Sequence, residues 1–232
     1  MEPEEGKFDL SHVKELIRTT RDAGLYLVIL WFATNKNGHP NYAPEYVKLD
    51  PKKYQLALGA NGRPVPSMTP HCRETLEADK RAFIELMKCI REEDEEYGTV
   101  LAVQVENEAG LGGTDRDYSA LAQADFEKPV PAELDGLTIP DSCASGRDNT
   151  WRGRFGRYAN EAFTAWYQAV YIDEIAAAGK AVYDIPMFVN AMLGEPYGEA
   201  GFGYNAGGPV VRVLDIWKKA APSIDQIGRA HV

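Results

Sequence analysis

The chain alternates between continuous apolar runs and amphipathic stretches in a regular order. "FDLSHVKELIRTTRDAG" sets Val13, Leu16 and Ile17 at helical spacing, offers Asp9 or Ser11 as an N-terminal cap, and places Gly24 where a helix-ending glycine belongs. "LYLVILWF", Leu25 to Phe32, follows at once and is apolar on both parities, as expected of a parallel strand covered on both faces. After a polar loop, Leu76, Phe83, Leu86, Met87 and Ile90 restore the helical period, which runs into the charged "REEDEEYG" and stops at Gly98. "TVLAVQVE" predicts a second strand. A long loop rich in Pro, Gly and Ser then leads to a helical stripe from Trp151 to Ala178, closed by Gly179, whose aromatic residues are assigned mainly to the core. "PMFVNAML", Pro186 to Leu193, predicts a third strand; Val210, Val213, Leu214 and Trp217 mark another helix, and "SIDQI" begins a fourth strand.

The predicted order repeats helix then strand four times, with long loops after each strand and short ones after each helix. In (β/α)8 barrels the loops at the carboxyl ends of the strands build the active site, whereas those after helices mainly connect. The expected fold class is therefore α/β: the central part of a (β/α)8 TIM barrel, about strands 3 to 6, with the barrel incomplete and two open edges. A doubly wound sheet shares the same alternation, and spacing alone does not separate the two. The glycines of "EAGLGG" and "GFGYNAGG" do not match GxGxxG at the start of a helix, so they give no dinucleotide signal. Residues 1 to 226 are assigned to one partial catalytic domain. Residues 227 to 232 read like a translated frame of a common sequencing adapter (ATC GGA AGA GCA CAC GTC) and are set aside as a foreign tail, with His231 given no function.

Composition narrows the partners. A chain of 232 residues with 44% hydrophobic content can bury a sizeable core. Its formal charge of -10, from 35 acidic and 25 basic residues without a basic cluster, disfavours nucleic acid. The longest apolar run, Leu25 to Ala33, is too short for a bilayer span, and no leader precedes it, so no membrane partner is expected. Cys72, Cys89 and Cys143 have no CxxC spacing and are expected as unpaired thiols. His39 and His71 lack metal-ligand spacing, so neither metal nor cofactor is expected.

The candidate chemistry sits at the strand ends. With a period of two, Gln104, Glu106 and Glu108 share a face directed into the barrel, while Leu101, Val103 and Val105 share the helix-covered face. Asn107 has the wrong parity and would reach the same pocket only through a bulge or a strand end. A carboxyl group beside an amide at such a place suits glycoside hydrolysis, in which one carboxylic acid protonates the leaving oxygen and polar groups hold the 2-hydroxyl. A capped strand with a salt-bridged Glu is the structural alternative. "WFATNKNGHPNYAP" adds Lys36 and Asn37 as hydroxyl partners and Trp31 as an apolar face for a sugar ring, with core packing as its alternative role. Asn190 ends "MFVNA" and points to the mouth unless it only caps the strand.

"EPEEGKFDLSHVKELI", "GLYLVILWFATNKNGHPNYAPEYVK", "AVQVENEAG" and "PMFVNAML" resemble the β-galactosidases of glycoside hydrolase family 35, closest to a bacterial branch and sharing much with family 42. The likeness runs nearly the whole chain to Asp225, and "QVENE" is its most specific motif. The resemblance implies a retaining β-glycosidase acting on terminal β-galactosides or related β-glycosides, with Glu108 as acid/base and Asn107 on the sugar 2-hydroxyl. It also implies a nucleophile from the seventh barrel strand, beyond the sixth at which this chain stops; neither Glu106 nor Glu195 is given that role. The chain alone is thus expected to be inactive and poorly soluble. A non-catalytic carbohydrate-binding relative and another barrel enzyme, such as an aldolase or isomerase, are the alternatives. Sugar, linkage, oligomeric state and compartment, whether cytoplasmic, periplasmic or secreted, are not readable from the sequence.

Overall fold

The computed structural model describes residues 2–146, 148–194 and 198–228. Its frame is a four-stranded parallel sheet in the order β1 (Leu27–Lys36), β4 (Val100–Asn107), β5 (Met187–Asn190) and β6 (Gln226–Gly228). Helix α1 (Ser11–Asp22) precedes β1, α3 (Arg73–Asp94) joins β1 to β4, α6 (Ala159–Lys180) joins β4 to β5, and α7 (Leu214–Ala220) joins β5 to β6. This is the arrangement of part of a (β/α) barrel: neighbouring strands are successive in this frame, each reached through a helix. The loops after strands are the long ones, and that after β1 holds α2 (Glu45–Leu49) and an antiparallel hairpin of β2 (Leu56–Leu58) and β3 (Pro64–Met68). The sequence shows this hairpin only as a polar loop, because strands of three and five residues carry too little alternation to register.

One face of the sheet is covered. Ile29, Val103 and Met187 lie in register across three strands, and Phe83 and Phe163 from α3 and α6 belong to the same buried cluster. Burial of each such side chain stabilises the fold by roughly 1.5–3 kcal/mol relative to exposure. Val28 and Leu30 alternate with this row on the other face and are 43% and 49% exposed. The sequence expectation for Leu101 is corrected here. A register shift carries the ladder from Leu27–Val100 to Val28–Ala102, so Val100 takes the covered face and Leu101 is left 48% exposed.

The stripe from Trp151 to Ala178 is two helices rather than one. Gly156 breaks it at φ +51 between α5 (Trp151–Phe155) and α6, where a Cβ would stand 2.1 Å from the Ser142 carbonyl oxygen. Gly179 does not close the helix either; α6 continues to Lys180, and Gly179 is buried inside it. Its role is contact: an added Cβ would lie 2.3 Å from the Phe83 ring. The aromatic residues of the stripe are core as expected, with Trp151, Phe155 and Phe163 fully buried.

All three cysteines are free, Cys72 and Cys89 buried and Cys143 exposed. His71, which the sequence gives no carboxylate partner, finds one 54 residues away: its ring bonds Asp125 on α4 (Ala120–Phe126) at 2.7 Å and stacks on Phe163. Ile227 and Gly228, grouped by sequence with a foreign tail, pair with Val189 and Asn190; residues 229–232 lie outside those described.

Gly179→Ala tests the contact between α3 and α6. Alanine improves intrinsic helix propensity by about 1 kcal/mol, but overpacking against the Phe83 ring costs about 1–3 kcal/mol. The expected outcome is a lower urea midpoint at unchanged slope, and a raised midpoint would show that the helices part without cost.

Candidate active site

The site begins with two irregularities in register. Between the pairs Trp31–Val105 and Lys36–Asn107, β1 advances five residues while β4 advances two. Between Gln104–Phe188 and Asn107–Asn190, β4 advances three while β5 advances two. Both shifts bracket Glu106, whose φ is +58, an uncommon conformation for a residue with a side chain. The turn reverses parity. Gln104 stays on the open face with Leu30 and Phe188, but Glu106, expected beside it, is directed to the helix-covered side.

There Glu106 is 1% exposed and fills the bulge of β1. Residues 33–35 have no partners in the ladder, and the carboxyl group receives their N–H groups: Ala33 at 3.3 Å, Thr34 at 3.1 Å and Asn35 at 3.0 Å. Buried N–H groups left unpaired would cost about 1–3 kcal/mol each, so the acid has a structural task on the far side of its strand. The Thr34 hydroxyl lies 3.2 Å from Glu106 and 2.8 Å from Asp79 of α3, which also accepts from Tyr171 at 3.1 Å and from the Trp31 indole at 2.9 Å. Burial pushes the Glu106 carboxyl well above the usual carboxylate range, and the charge of Asp79 adds to it. Burial likewise raises Asp79 and the Tyr171 phenol. Two carboxyl groups buried together therefore keep a proton above the ordinary carboxylate range.

Because Glu106 turns outward, Asn107 turns in. It joins Gln104, Asn37 and Asn190 in a chain of amides across the ends of β1, β4 and β5. Asn107 Oδ1 accepts from Gln104 at 3.1 Å and from Asn190 at 2.8 Å, and Asn107 Nδ2 donates to Asn37 Oδ1 at 2.6 Å. Lys36 Nζ also donates to Asn37 Oδ1, at 3.2 Å, and lies 4.7 Å from the Phe32 ring centroid. Lys36, Asn107, Asn190 and Gly228 occupy one register row. Glu108 follows at φ +46, half-buried, its N–H on the Asn190 carbonyl at 3.0 Å and its own carbonyl held by Asn205 at 2.9 Å. Among the described residues its carboxyl group has no hydrogen-bond or ion-pair partner.

Five of the six site residues read from sequence thus stand together: Lys36, Asn37, Asn107, Glu108 and Asn190. Trp31 does not. It shares parity with Ile29 on the covered face, is 6% exposed, and packs on Phe83 at 5.4 Å. The sugar-platform expectation is corrected to core packing, since the bulge that brings Lys36 to the mouth begins only after Trp31. Glu195 lies outside the described residues. Sequence reasoning missed Asp79, Thr34 and Asn205, which sit in a charged helix, in the bulge of β1 and in a loop, and have no local signal. Among the described residues no group of three His, Cys, Asp or Glu is placed to hold a metal ion, and no helix is long and apolar enough to cross a membrane.

No protein-family model matches the chain, and no curated protein sequence matches it. Solved structures do. The β-galactosidase from the psychrophilic Marinomonas ef1 aligns at a TM-score of 0.62 and 12% identity, over 99% of this chain and 34% of that one. The cold-adapted β-galactosidase from Rahnella sp. R3 aligns at 0.59 and 13%, over 99% and 32%. The catalytic domain of β-amylase from Paenibacillus polymyxa aligns at 0.55 and 14%, over 94% and 64%. The chain spans about a third of the length of these β-galactosidases, and the likeness is one of fold.

The Glu106–Asp79 pair makes stability depend on pH in a set direction. A carboxyl group whose folded pKa lies above its unfolded value, about 4.3 for Glu, contributes fully below that value and loses the contribution as pH rises through the folded pKa. Glu106→Gln removes this titration. The stability of the native sequence minus that of the variant, from chemical unfolding, should fall as pH rises from about 4.3; a flat or rising difference would mean that the pair ionises without cost. Glu106→Ala, which strands the N–H groups of Ala33, Thr34 and Asn35, should cost about 3 kcal/mol or more.

Proposed function

We propose that the chain is the acid/base-bearing part of a retaining β-glycosidase acting on terminal β-galactosides or related β-glycosides, its sheet corresponding to about strands 3 to 6 of a (β/α)8 barrel. The observation that carries the reading is the state of Glu108: a half-buried carboxyl group at the end of a central strand, unpartnered among the described residues, next to an amide that the fold holds fixed. The buried carboxyl groups of Glu106 and Asp79 are bonded. An unsatisfied one at the mouth of a sheet fits a group kept for substrate.

Each residue then has a task. Glu108 gives its proton to the glycosidic oxygen as the bond to the leaving group breaks, and in the second half-reaction takes a proton from the attacking water. Asn107 has both lone-pair positions of Oδ1 engaged and one Nδ2 hydrogen on Asn37, which leaves one N–H for the sugar 2-hydroxyl. Lys36, Asn37 and Asn190 hold that amide and border the sugar. The retaining reaction also needs a carboxylate roughly 5–5.5 Å from the acid to form the glycosyl intermediate. Glu106 is directed away and cannot supply it. We assign the nucleophile to the part of the relatives' fold beyond the third that this chain spans, so turnover belongs to the longer protein.

The test uses Glu108→Gln in the enzyme that contains the whole barrel. Hydrolysis of lactose, whose leaving group needs a proton, should fall by about 10²–10⁴-fold, whereas an activated aryl β-galactoside should lose far less. Equal losses would count against an acid role. Sugar binding without turnover in the native longer protein would favour the non-catalytic carbohydrate-binding relative.

A further inference from the structure

A second cleft opens at the same end of the sheet, between the loop after β4, the start of α6 and the loop after β5. Its volume is about 710 Å³, within the range of ligand sites. One wall is fixed. Arg212 donates to Glu161 at 2.9 Å and to the Tyr204 hydroxyl at 2.6 Å, while Tyr204 itself donates to Glu161 at 2.6 Å. The opposite groups are not committed: among the described residues the guanidinium of Arg157 has only the Tyr158 ring, at 4.9 Å, and the carboxylates of Asp141 and Glu199 have no bonded partner. Phe202, 71% exposed, presents an apolar ring at the rim.

This inventory selects a chemistry. Four carboxylates line the cleft against two guanidinium groups, one of them already paired, so a phosphate or sulfate ester would meet net repulsion. The uncommitted Arg157 works against a cationic ligand. Free acceptors and a free donor around one apolar ring suit a neutral polyol, with carboxylates taking hydroxyl hydrogens, the guanidinium giving hydrogens to a diol, and the ring covering the C–H face of a pyranose.

The cleft is tied to Glu108 by short steps. Asn205 holds the Glu108 carbonyl at 2.9 Å, and the preceding residue, Tyr204, is bonded into the fixed wall with Arg212 and Glu161. Leu111 and Ala206 exchange backbone hydrogen bonds of 2.9 Å, which join the two loops. We infer that this cleft binds the leaving-group side of an extended neutral β-glycoside whose scissile bond lies at Glu108. The inference rests on the reading of Glu108 as the acid.

Calorimetry on the 232-residue chain tests it with β-1,4-linked galactotetraose against galactose. The native chain should bind the tetrasaccharide about tenfold tighter or more. Phe202→Ala and, separately, Arg157→Gln, both at exposed positions that do not threaten folding, should abolish most of this margin and leave galactose binding unchanged. Glu108→Gln should keep the margin. Equal affinity for the two sugars in the native chain, or a margin that survives both substitutions, overturns the cleft while leaving the leaving-group test of Glu108 unaffected. A margin lost on Phe202→Ala and Arg157→Gln, in a protein whose Glu108→Gln form fails that other test, keeps the cleft and removes the acid role.

Discussion

The arrangement of the site depends on one side chain that does not face it. The carboxyl group of Glu106 occupies the place where β1 leaves its ladder and gathers the three N–H groups that the departure strands. Without that acceptor the bulge would leave unpaired donors at the centre of the molecule, and the strand would do better to stay in register. In register, Lys36 would not lie opposite Asn107, and the residues that follow would not reach the mouth. Backbone strain is part of the same device: the positive φ at Glu106 turns one side chain into the bulge and the next into the cleft. Asp79 and Tyr171 complete a buried polar cluster beneath it, costly if half made and rigid when whole.

Much of the frame was legible because burial on one or both faces leaves periodic traces. The runs at Leu25–Phe32 and Thr99–Glu106 mark β1 and β4, offset by two residues or fewer at their starts, and the apolar spacing from Leu76 to Ile90 lies within α3. Gly24 and Gly98 stand at helix ends with positive φ, as placed from sequence. What parity could not supply was the conformation of Glu106, since no residue type announces a left-handed turn in mid-strand when it is glutamate. The same turn that misplaced Glu106 brought Asn107 to the amide row, and both conditions set for that residue are met, since the register shifts there and β4 ends at Asn107. Trp31 failed for the complementary reason: the bulge lies just beyond it, and counting residues to the strand end put it too near the mouth. Asp79 was illegible because its meaning comes from contacts 45 residues away.

The comparisons with solved structures and the local geometry speak to different questions. A shared frame at 12–13% identity shows the fold, and with it which way the strand ends face. It does not say which side chain acts. The two acidic residues that flank Asn107 meet opposite fates, Glu106 buried and saturated with donors, Glu108 half-buried and without a side-chain partner among the described residues.

The amide chain has a direction, and the direction is set from both ends. Primary amides look alike when flipped, so a row of them reads equally well forwards or backwards unless something at an end can only accept or only donate. Gln104 Nε2 faces the Glu106 carbonyl oxygen at 2.9 Å, which can only accept, and Asn37 Oδ1 faces the Lys36 ammonium, which can only donate. Each terminus imposes the same sense on Asn107. Its free valence toward the cleft is therefore a hydrogen and not a lone pair, and reversing it would mean turning over every amide in the row against both anchors at once.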